Sequence, residues 1–275
     1  MRVMKKFTFL VLLPLVFLFC FFGCTPPSSE PKLNITKKED LTAIMHAGGG
    51  WDDKVLLNCQ ETFYTYYQLG FRYFEYDFKL SSDGKIISTH SWEHLSSGYD
   101  GISYEEFTSL TLDGGYTPVN EEWLINMLKT YPDVTVIADA KMETTLLDAE
   151  VIKRLYNIGE ENSIDLSNRI IPEVFSIEMW QAIKNTTNFN NHLFSRYKEY
   201  YDIQTVIDNF PTDKFIGIAL DYSYLDGYYK DSIPLLQQTG YRIFMFGIHS
   251  EKDTLGALDI GADTVYVDFN SQLPK

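Results

Sequence analysis

The stretch from Val134 to Lys141 reads VTVIADAK and favours a buried strand that ends in polar side chains. A run this rich in β-branched residues fits a strand covered on both faces, as in a parallel sheet. Asp139 and Lys141 occupy alternate positions after the apolar run, so both side chains point to one face. The stretch therefore predicts a parallel sheet whose strands carry charged groups at their carboxyl ends.

Apolar runs alternate with amphipathic stretches along the rest of the chain. Eight strands are predicted, at Thr42–Ala47, Tyr73–Leu80, Val134–Ala140, Ile170–Phe175, His192–Tyr197, Phe215–Leu220, Arg242–Ile248 and Thr264–Phe269. Helices are predicted at Cys59–Leu69, Glu121–Lys129, Leu146–Tyr156, Ile177–Lys184, Ile203–Asn209, Ser232–Thr239 and Thr254–Ile260. This alternation predicts an α/β fold, the (β/α)8 TIM barrel. Residues 86–90 follow a Ser-Asp-Gly turn and are predicted to turn back as an extra strand or as an extension of the second barrel strand.

The first residues of the chain predict an export signal. Basic residues precede an apolar run from Phe7 to Phe22, which ends at Gly23 and Cys24. This order predicts a lipoprotein signal peptide over 1–23 with Cys24 as the lipidated residue, a linker over 24–40 and one barrel domain over 41–275. An uncleaved N-terminal anchor is the alternative. In both cases the domain lies outside the bacterial cytoplasm, tethered to the cell membrane or outer membrane.

The composition narrows the classes of partner. The formal net charge of −15 argues against nucleic acid, whose phosphates select basic patches. An acidic protein that handles a phosphate needs a metal ion to supply local positive charge. Cys59 is the one cysteine beyond the export signal, so no disulfide framework is expected and the core must stabilise the fold. The oligomeric state is left open.

Three carboxylates are expected to converge at the barrel mouth. The second strand reads YFEYDF from Tyr73, which puts Glu75 and Asp77 on one face. Buried carboxylates that face each other repel unless a cation compensates, and oxygen ligands suit Mg²⁺ or Ca²⁺ rather than zinc. Asp139 would complete the set. Lys141 would either pair with these carboxylates or reach a substrate phosphate.

Two histidines are expected at the same end of the molecule. His46 ends the first strand beside three glycines, whose backbone could approach an anion closely, and His90 follows the predicted hairpin. A histidine beside a glycine-rich turn is by itself more often structural. Two imidazoles at one site can nevertheless share proton transfer, because the pKa of histidine lies near neutral pH.

The order of these motifs resembles the glycerophosphodiester phosphodiesterase family across nearly the whole exported domain. The matching segments are HAG at 46–48, Asn58 with ETF at 61–63, GFRYFEYD at 70–77, SDG at 82–84, His90, YTP at 116–118, DAK at 139–141, IIP at 170–172 and YVDF at 266–269. The resemblance implies a TIM barrel that hydrolyses a small phosphodiester substrate with a divalent cation.

The resemblance also assigns roles to individual residues. It implies that Glu75, Asp77 and Asp139 hold a Mg²⁺ or Ca²⁺ ion and that His46 and His90 form the acid–base pair. The attacking hydroxyl could come from water or from the substrate, and either histidine could be the base.

The remaining roles concern the substrate. The resemblance implies that Lys141, Asn58 and Glu173 contact the substrate and its phosphate. Three positions depart from the family pattern, since Ala47 replaces a common Arg, Ser91 a common Asp and Glu173 a common neutral amide. These departures affect the binding of phosphate and the choice of substrate more than the type of reaction.

Three other functions remain open. A phospholipase of the C or D type would act on intact lipid head groups, and Trp51, Trp92 and Tyr116 near the expected mouth favour it. A barrel without catalytic activity would bind a ligand or a cell-surface partner. A zinc hydrolase would use His46 and His90 as ligands, although the oxygen-rich set favours a hard cation.

Overall fold

The structure is a computed structural model that describes residues 43–95, 101–112 and 114–274. Its strands are β1 (Ala43–Met45), β2 (Tyr73–Leu80), β3 (Ile86–Ser88), β4 (Thr135–Ala140), β5 (Ile170–Val174), β6 (His192–Ser195), β7 (Phe215–Asp221), β8 (Arg242–Phe246) and β9 (Thr264–Val267). Its α-helices are α1 (Gln60–Gln68), α2 (Tyr104–Thr108), α3 (Glu121–Thr130), α4 (Thr145–Glu161), α5 (Ile177–Ile183), α6 (Ile203–Asn209), α7 (Gly227–Gln238) and α8 (Glu251–Asp259).

Eight of these strands close a parallel barrel. The order is β1, β2, β4, β5, β6, β7, β8, β9, and β9 pairs with β1 again. β3 pairs antiparallel with β2, with Ser88 opposite Phe78. The predicted (β/α)8 TIM barrel and its extra strand are therefore confirmed. The extra strand ends at Ser88, so His90 lies in the loop that follows it.

Side-chain caps fix where most of the helices begin. A Ser, Thr, Asn or Asp side chain accepts a hydrogen bond from a backbone N–H of the first turn at Ser103, Asn120, Thr144, Ser176, Asp202, Asp226 and Ser250. Asp226 starts α7 at Gly227, earlier than the predicted start at Ser232. Helix α2 was not predicted, although Ser103 and Glu106 form a capping box that marks its start.

An apolar layer crosses the inside of the barrel. Seven strands contribute to it, with Ile44, Ile137, Ile171, Leu193, Ala219, Phe244 and Tyr266. Because side chains alternate along a strand, the residue two positions further on faces inward again, closer to the carboxyl ends. These residues are His46, Asp139, Glu173, Ser195, Asp221, Phe246 and Asp268. A mostly polar layer therefore lies above the apolar layer, at the mouth.

Both faces of β2 are buried, which explains its aromatic-rich sequence. Phe74 packs against Phe63 of α1 with ring centroids 4.9 Å apart, and Tyr76 lies 6.1 Å from Trp123 of α3. The alternate side chains of β2, Glu75 and Asp77, consequently point into the barrel.

The predictions for the N-terminal region concern residues that the structure does not describe. The signal peptide at 1–23, the lipid site at Cys24 and the linker at 24–40 all precede residue 43. Among the described residues, none of the helices combines the length and the apolar character needed to cross a membrane.

Candidate active site

The carboxyl ends of the barrel strands surround an open pocket of about 240 Å³. It is lined by His46, Glu75, His90, Asp139, Lys141, Glu173, Ser195, Tyr197, Asp221, Phe246 and Tyr266. The structure thus brings six of the predicted site residues to one pocket. Asp77 and Asn58 are not part of its lining and lie behind it.

Glu75, Asp77 and Asp139 form a compact carboxylate cluster. One oxygen from each lies within 4.8 Å of the others, and Asp77 is opposite Asp139 in the pairing of β2 with β4. Oε1 of Glu75 and Oδ1 of Asp77 are buried and accept no hydrogen bond. Buried oxygens without partners are costly, and a hard divalent cation would satisfy them. The donor set therefore fits Mg²⁺ or Ca²⁺.

The charges of the cluster are coupled. Burial, with the negative charges of Asp77 and Asp139, raises the pKa of Glu75 well above its usual value. Burial also raises the pKa of Asp139, although Lys141 opposes the change. The pKa of Asp77 is lowered instead, because Lys141, His90 and other neighbours outweigh the effect of burial. A proton held by Glu75 would have to leave when a cation binds.

Lys141 pairs with this cluster. Its Nζ donates to Oδ2 of Asp139 at 2.5 Å and to the hydroxyl of Tyr197 at 3.1 Å, and lies 3.4 Å from Oδ1 of Asp77. Burial would lower the pKa of Lys141, but the two carboxylates raise it well above its usual value. Lys141 thus adopts the carboxylate-paired arrangement, and its contact with a substrate phosphate stays a prediction.

Asn58 holds Asp77 in place from behind the pocket. Its Nδ2 donates to Oδ2 of Asp77 at 2.7 Å, and its Oδ1 accepts from the Asp77 backbone N–H at 3.0 Å and from Ser88 Oγ at 2.9 Å. Its φ of 47° is in the left-handed region, which Asn tolerates better than most residues. The contribution of Asn58 to phosphate binding stays a prediction.

His46 is held by a residue to which the sequence analysis gave no role. Its Nδ1 lies 2.9 Å from Oδ1 of Asp268, just after β9, and its Nε2 lies 4.0 Å from Oε2 of Glu75. Burial by itself would lower the pKa of His46. The hydrogen bond and the negative charge of Asp268 outweigh burial, so the pKa of His46 is raised. His90 lines the same pocket from the loop after β3.

Glu173 provides a further carboxylate in the pocket. It is buried, and its Oε1 accepts a hydrogen bond of 2.7 Å from the hydroxyl of Tyr266. Burial and the negative charge of Asp139 raise the pKa of Glu173 to about 7. The departure from a neutral amide therefore puts a group at the pocket that can hold a proton near neutral pH.

Sequence analysis gave no role to several other residues at this end of the barrel. Ser195, Asp221 and Asp268 all stand two residues beyond an inward-facing member of the apolar layer. Counting in steps of two from each predicted strand would have found them. The aromatic residues expected at the mouth, Trp51 and Tyr116 among them, do not line the pocket. Trp92 donates its Nε1 to Glu143 instead.

Comparison with known proteins identifies similar folds. The sequence matches no family model and no curated protein. The structure is similar to a protein assigned as a glycerophosphodiester phosphodiesterase from Galdieria sulphuraria, with a TM-score of 0.69 and 18% identity over 84% of this chain and 95% of that chain. The structure is also similar to a glycerophosphodiester phosphodiesterase from Parabacteroides distasonis, with a TM-score of 0.67 and 15% identity over 83% of this chain and 92% of that chain.

A third similar structure contains a bound product. It is a phosphodiesterase from Oleispira antarctica in complex with sn-glycerol-3-phosphate, with a TM-score of 0.65 and 15% identity over 84% of this chain and 94% of that chain. Identities at this level establish the shared fold, and the arrangement of side chains in this chain carries any argument about its activity.

Proposed function

We propose that this protein is a metal-dependent phosphodiesterase that hydrolyses glycerophosphodiesters to glycerol phosphate and an alcohol. The observation that carries the proposal is the convergence of His46 and His90 with a buried carboxylate cluster in one pocket. The fold it shares with a glycerophosphodiester phosphodiesterase, and with a phosphodiesterase that has sn-glycerol-3-phosphate bound, supports the choice of substrate.

The three carboxylates would hold the cation. Glu75, Asp77 and Asp139 supply oxygens of the kind that Mg²⁺ and Ca²⁺ prefer, and two of the buried oxygens accept no hydrogen bond. A bound divalent cation would neutralise charge that develops on the phosphoryl oxygens. Lys141 could then exchange its contact with Asp139 for one with the substrate phosphate, because its flexible stem carries a compact charge.

His46 and His90 would move the protons. Asp268 binds Nδ1 of His46 and so favours the tautomer whose Nε2 can take or give a proton at the pocket. One imidazole removes a proton from the attacking hydroxyl as the new phosphorus–oxygen bond forms. The other gives a proton to the alcohol oxygen as its bond to phosphorus breaks. If the attacking hydroxyl belongs to water, this step yields glycerol phosphate and the alcohol. If it belongs to the substrate, the step yields a cyclic phosphate, and water then opens the ring to glycerol phosphate with the two imidazoles in exchanged roles.

Substitution of the histidines tests this function. With the full-length chain in detergent and glycerophosphodiesters as substrates, His46→Ala and His90→Ala should each lower kcat by roughly 10²–10⁴-fold. The double variant should lose far less than the product of the two effects, because both groups act in one reaction. His249→Ala is the control, since His249 is exposed and does not line the pocket.

Four outcomes would redirect the assignment. Turnover close to wild type in both single variants would exclude His46 and His90 as the acid–base pair. Absence of turnover in the wild-type chain would leave a barrel that binds a ligand without catalysis. Loss of bound metal in either variant would favour the zinc hydrolase with histidine ligands. Release of head group from phospholipid vesicles at rates above those on deacylated diesters would favour a phospholipase.

We also propose that the domain is tethered to a membrane outside the cytoplasm. The basic start, the apolar run and the Gly23–Cys24 pair support a lipoprotein signal. Incorporation of a labelled fatty acid into the wild-type chain, but not into Cys24→Ala, is the expected result. Label in the Cys24 variant would contradict this site.

A further inference from the structure

One wall of the pocket takes no part in the proposed hydrolysis. It consists of Glu173, Asp221, Phe246 and Tyr266, which line the pocket from β5, β7, β8 and β9, and we call it the acidic–aromatic wall. Asp221 and Phe246 are partners in the pairing of β7 with β8. Both stand two residues beyond the apolar layer, so a carboxylate and a phenyl ring lie side by side at the mouth.

The charge of the pocket favours a cation at this wall. Glu173 and Asp221 add two carboxylates to the three of the carboxylate cluster. Lys141 is the only lysine or arginine among the described residues that line the pocket, and it is bound to Asp139. A divalent cation together with Lys141 would still leave an excess of negative charge. An anionic group would therefore meet repulsion at the acidic–aromatic wall.

The rings of the wall suit a cation as well. Phe246 and Tyr266 lie with their centroids 6.3 Å apart and their planes at 77° to each other. Phe246 is partly exposed, so its ring is accessible to a ligand. The ring of the neighbouring Tyr197 already contacts a cation, because the ammonium of Lys141 lies 4.6 Å from its centroid. A cation is attracted to the face of an aromatic ring, and proteins use such rings to bind quaternary ammonium groups.

A buried hydroxyl also belongs to the polar side of the wall. Ser195 is fully buried and lines the pocket, and its Oγ lies close enough to Glu173 to help lower the pKa of that carboxyl.

We propose that the acidic–aromatic wall binds an ammonium group on the substrate's alcohol, so that the preferred substrates are zwitterionic glycerophosphodiesters. The proposal rests on the proposed function and adds the substrate class. The phosphate lies at the carboxylate cluster with its cation, and the ammonium lies against Phe246, Tyr266 and Asp221. A cation beside Glu173 also favours the ionised form of that carboxyl.

The test compares two diesters that differ in one atom type. Glycerophosphocholine carries a quaternary ammonium, and its 3,3-dimethylbutyl isostere has the same shape without charge. The full-length chain should show a kcat/KM for the choline diester roughly 10-fold higher than for the isostere, the size expected of a desolvated cation–π contact. Asp221→Asn and Phe246→Leu should each lower this ratio at least about threefold.

Glu199→Gln serves as the matched control. Glu199 is exposed in the loop after β6 and does not line the pocket, so the change removes the same charge without touching the wall. Its ratio should equal that of the wild type. A wild-type ratio near one, or a ratio that neither Asp221→Asn nor Phe246→Leu changes, would overturn the proposal.

Failure of the proposed function gives a different result. If neither diester is hydrolysed with Mg²⁺ or Ca²⁺, the phosphodiesterase assignment fails, and the wall is tested by binding alone. Choline and 3,3-dimethylbutan-1-ol are then titrated against the full-length chain by NMR. Tighter binding of choline that is weakened in Asp221→Asn supports a cation site, and equal binding of the two compounds overturns it.

Discussion

Asp268, near the carboxyl terminus, orients the imidazole of His46. Its carboxylate binds Nδ1 of His46 across 222 residues of sequence, and its own backbone N–H is held by Oε1 of Gln272 at 2.7 Å. We expect Asp268→Asn to lower kcat roughly 10–100-fold, because the imidazole loses its fixed orientation and tautomer. Steady-state kinetics measure the loss, and a melting curve checks the fold. A kcat equal to that of the wild type would mean that His46 needs no such partner.

His192 is a buried histidine away from the pocket, and it should make the protein sensitive to acid. It packs against Trp180 and Phe215, its Nε2 has no hydrogen-bond partner, and burial lowers its pKa to about 4 from 6.5. The unfolded chain therefore binds this proton at higher pH than the folded protein does. The resulting stability is present above pH 6.5 and is lost as the pH falls towards 4.

A substitution makes this effect measurable. Relative to wild type, His192→Phe should gain unfolding free energy between pH 7 and pH 4, by up to roughly 3 kcal/mol. Urea denaturation at several pH values measures the difference. His249→Gln, at an exposed histidine, should follow the wild-type curve. A difference between His192→Phe and wild type that does not change with pH would show that His192 titrates alike in both states.

The turn after β1 is the element that builds the histidine side of the site. Ala47 adopts a φ of 47°, which aims its N–H at Oε2 of Glu75 at 2.7 Å. Gly49 has a φ of 96°, and a Cβ added there would overlap the ring of Tyr66. The hydroxyl of Tyr66 in turn donates to the carbonyl oxygens of Gly50 and Asp268. The turn thus connects the backbone beside His46 with that of Asp268.

Gly49→Ala should disturb this element more than its backbone angle alone explains. Gly70 has a similar φ of 99° with open space around it, so Gly70→Ala reports the cost of a positive φ without a steric overlap. We expect that control to cost about 1–2 kcal/mol of unfolding free energy and Gly49→Ala to cost about 1–3 kcal/mol more. Gly49→Ala should also lower kcat, whereas Gly70→Ala should not. Equal melting temperatures for the two variants would contradict this view of the turn.

At the scale of the whole molecule, the carboxylate cluster links metal binding to stability. Three buried carboxylates repel one another, so a cation bound only by the folded protein should raise its stability. At a concentration of 100 times Kd the gain is about 2.7 kcal/mol. Exhaustive chelation should abolish turnover and lower the melting temperature, and Mg²⁺ or Ca²⁺ should restore both. The control variant Asp139→Asn should melt at nearly the same temperature with and without the ion. Full activity of the wild type after chelation would exclude a role for the metal in catalysis.

The sequence determined the barrel fold and which side chains reach its mouth. Period-two alternation on β2 and β4 put Glu75, Asp77 and Asp139 on the inward face, and the eight strands predicted a closed barrel that the structure confirms. These features follow from local rules, because the pleat decides which side chains face inward and an apolar run decides which segments are buried. The side chains at the carboxyl ends of such strands were therefore predictable.

Closure of the barrel decided what each of these side chains contacts. The contact of Asp268 with His46 joins the ends of the first and last strands, and the pairing of Asp221 with Phe246 depends on the register of β7 and β8. Asn58, predicted to bind phosphate, holds Asp77 from behind the pocket. No local pattern contains this information, since it depends on the angle and register at which distant segments meet. The sequence determined which groups reach the mouth, and the tertiary structure determined which of them act together.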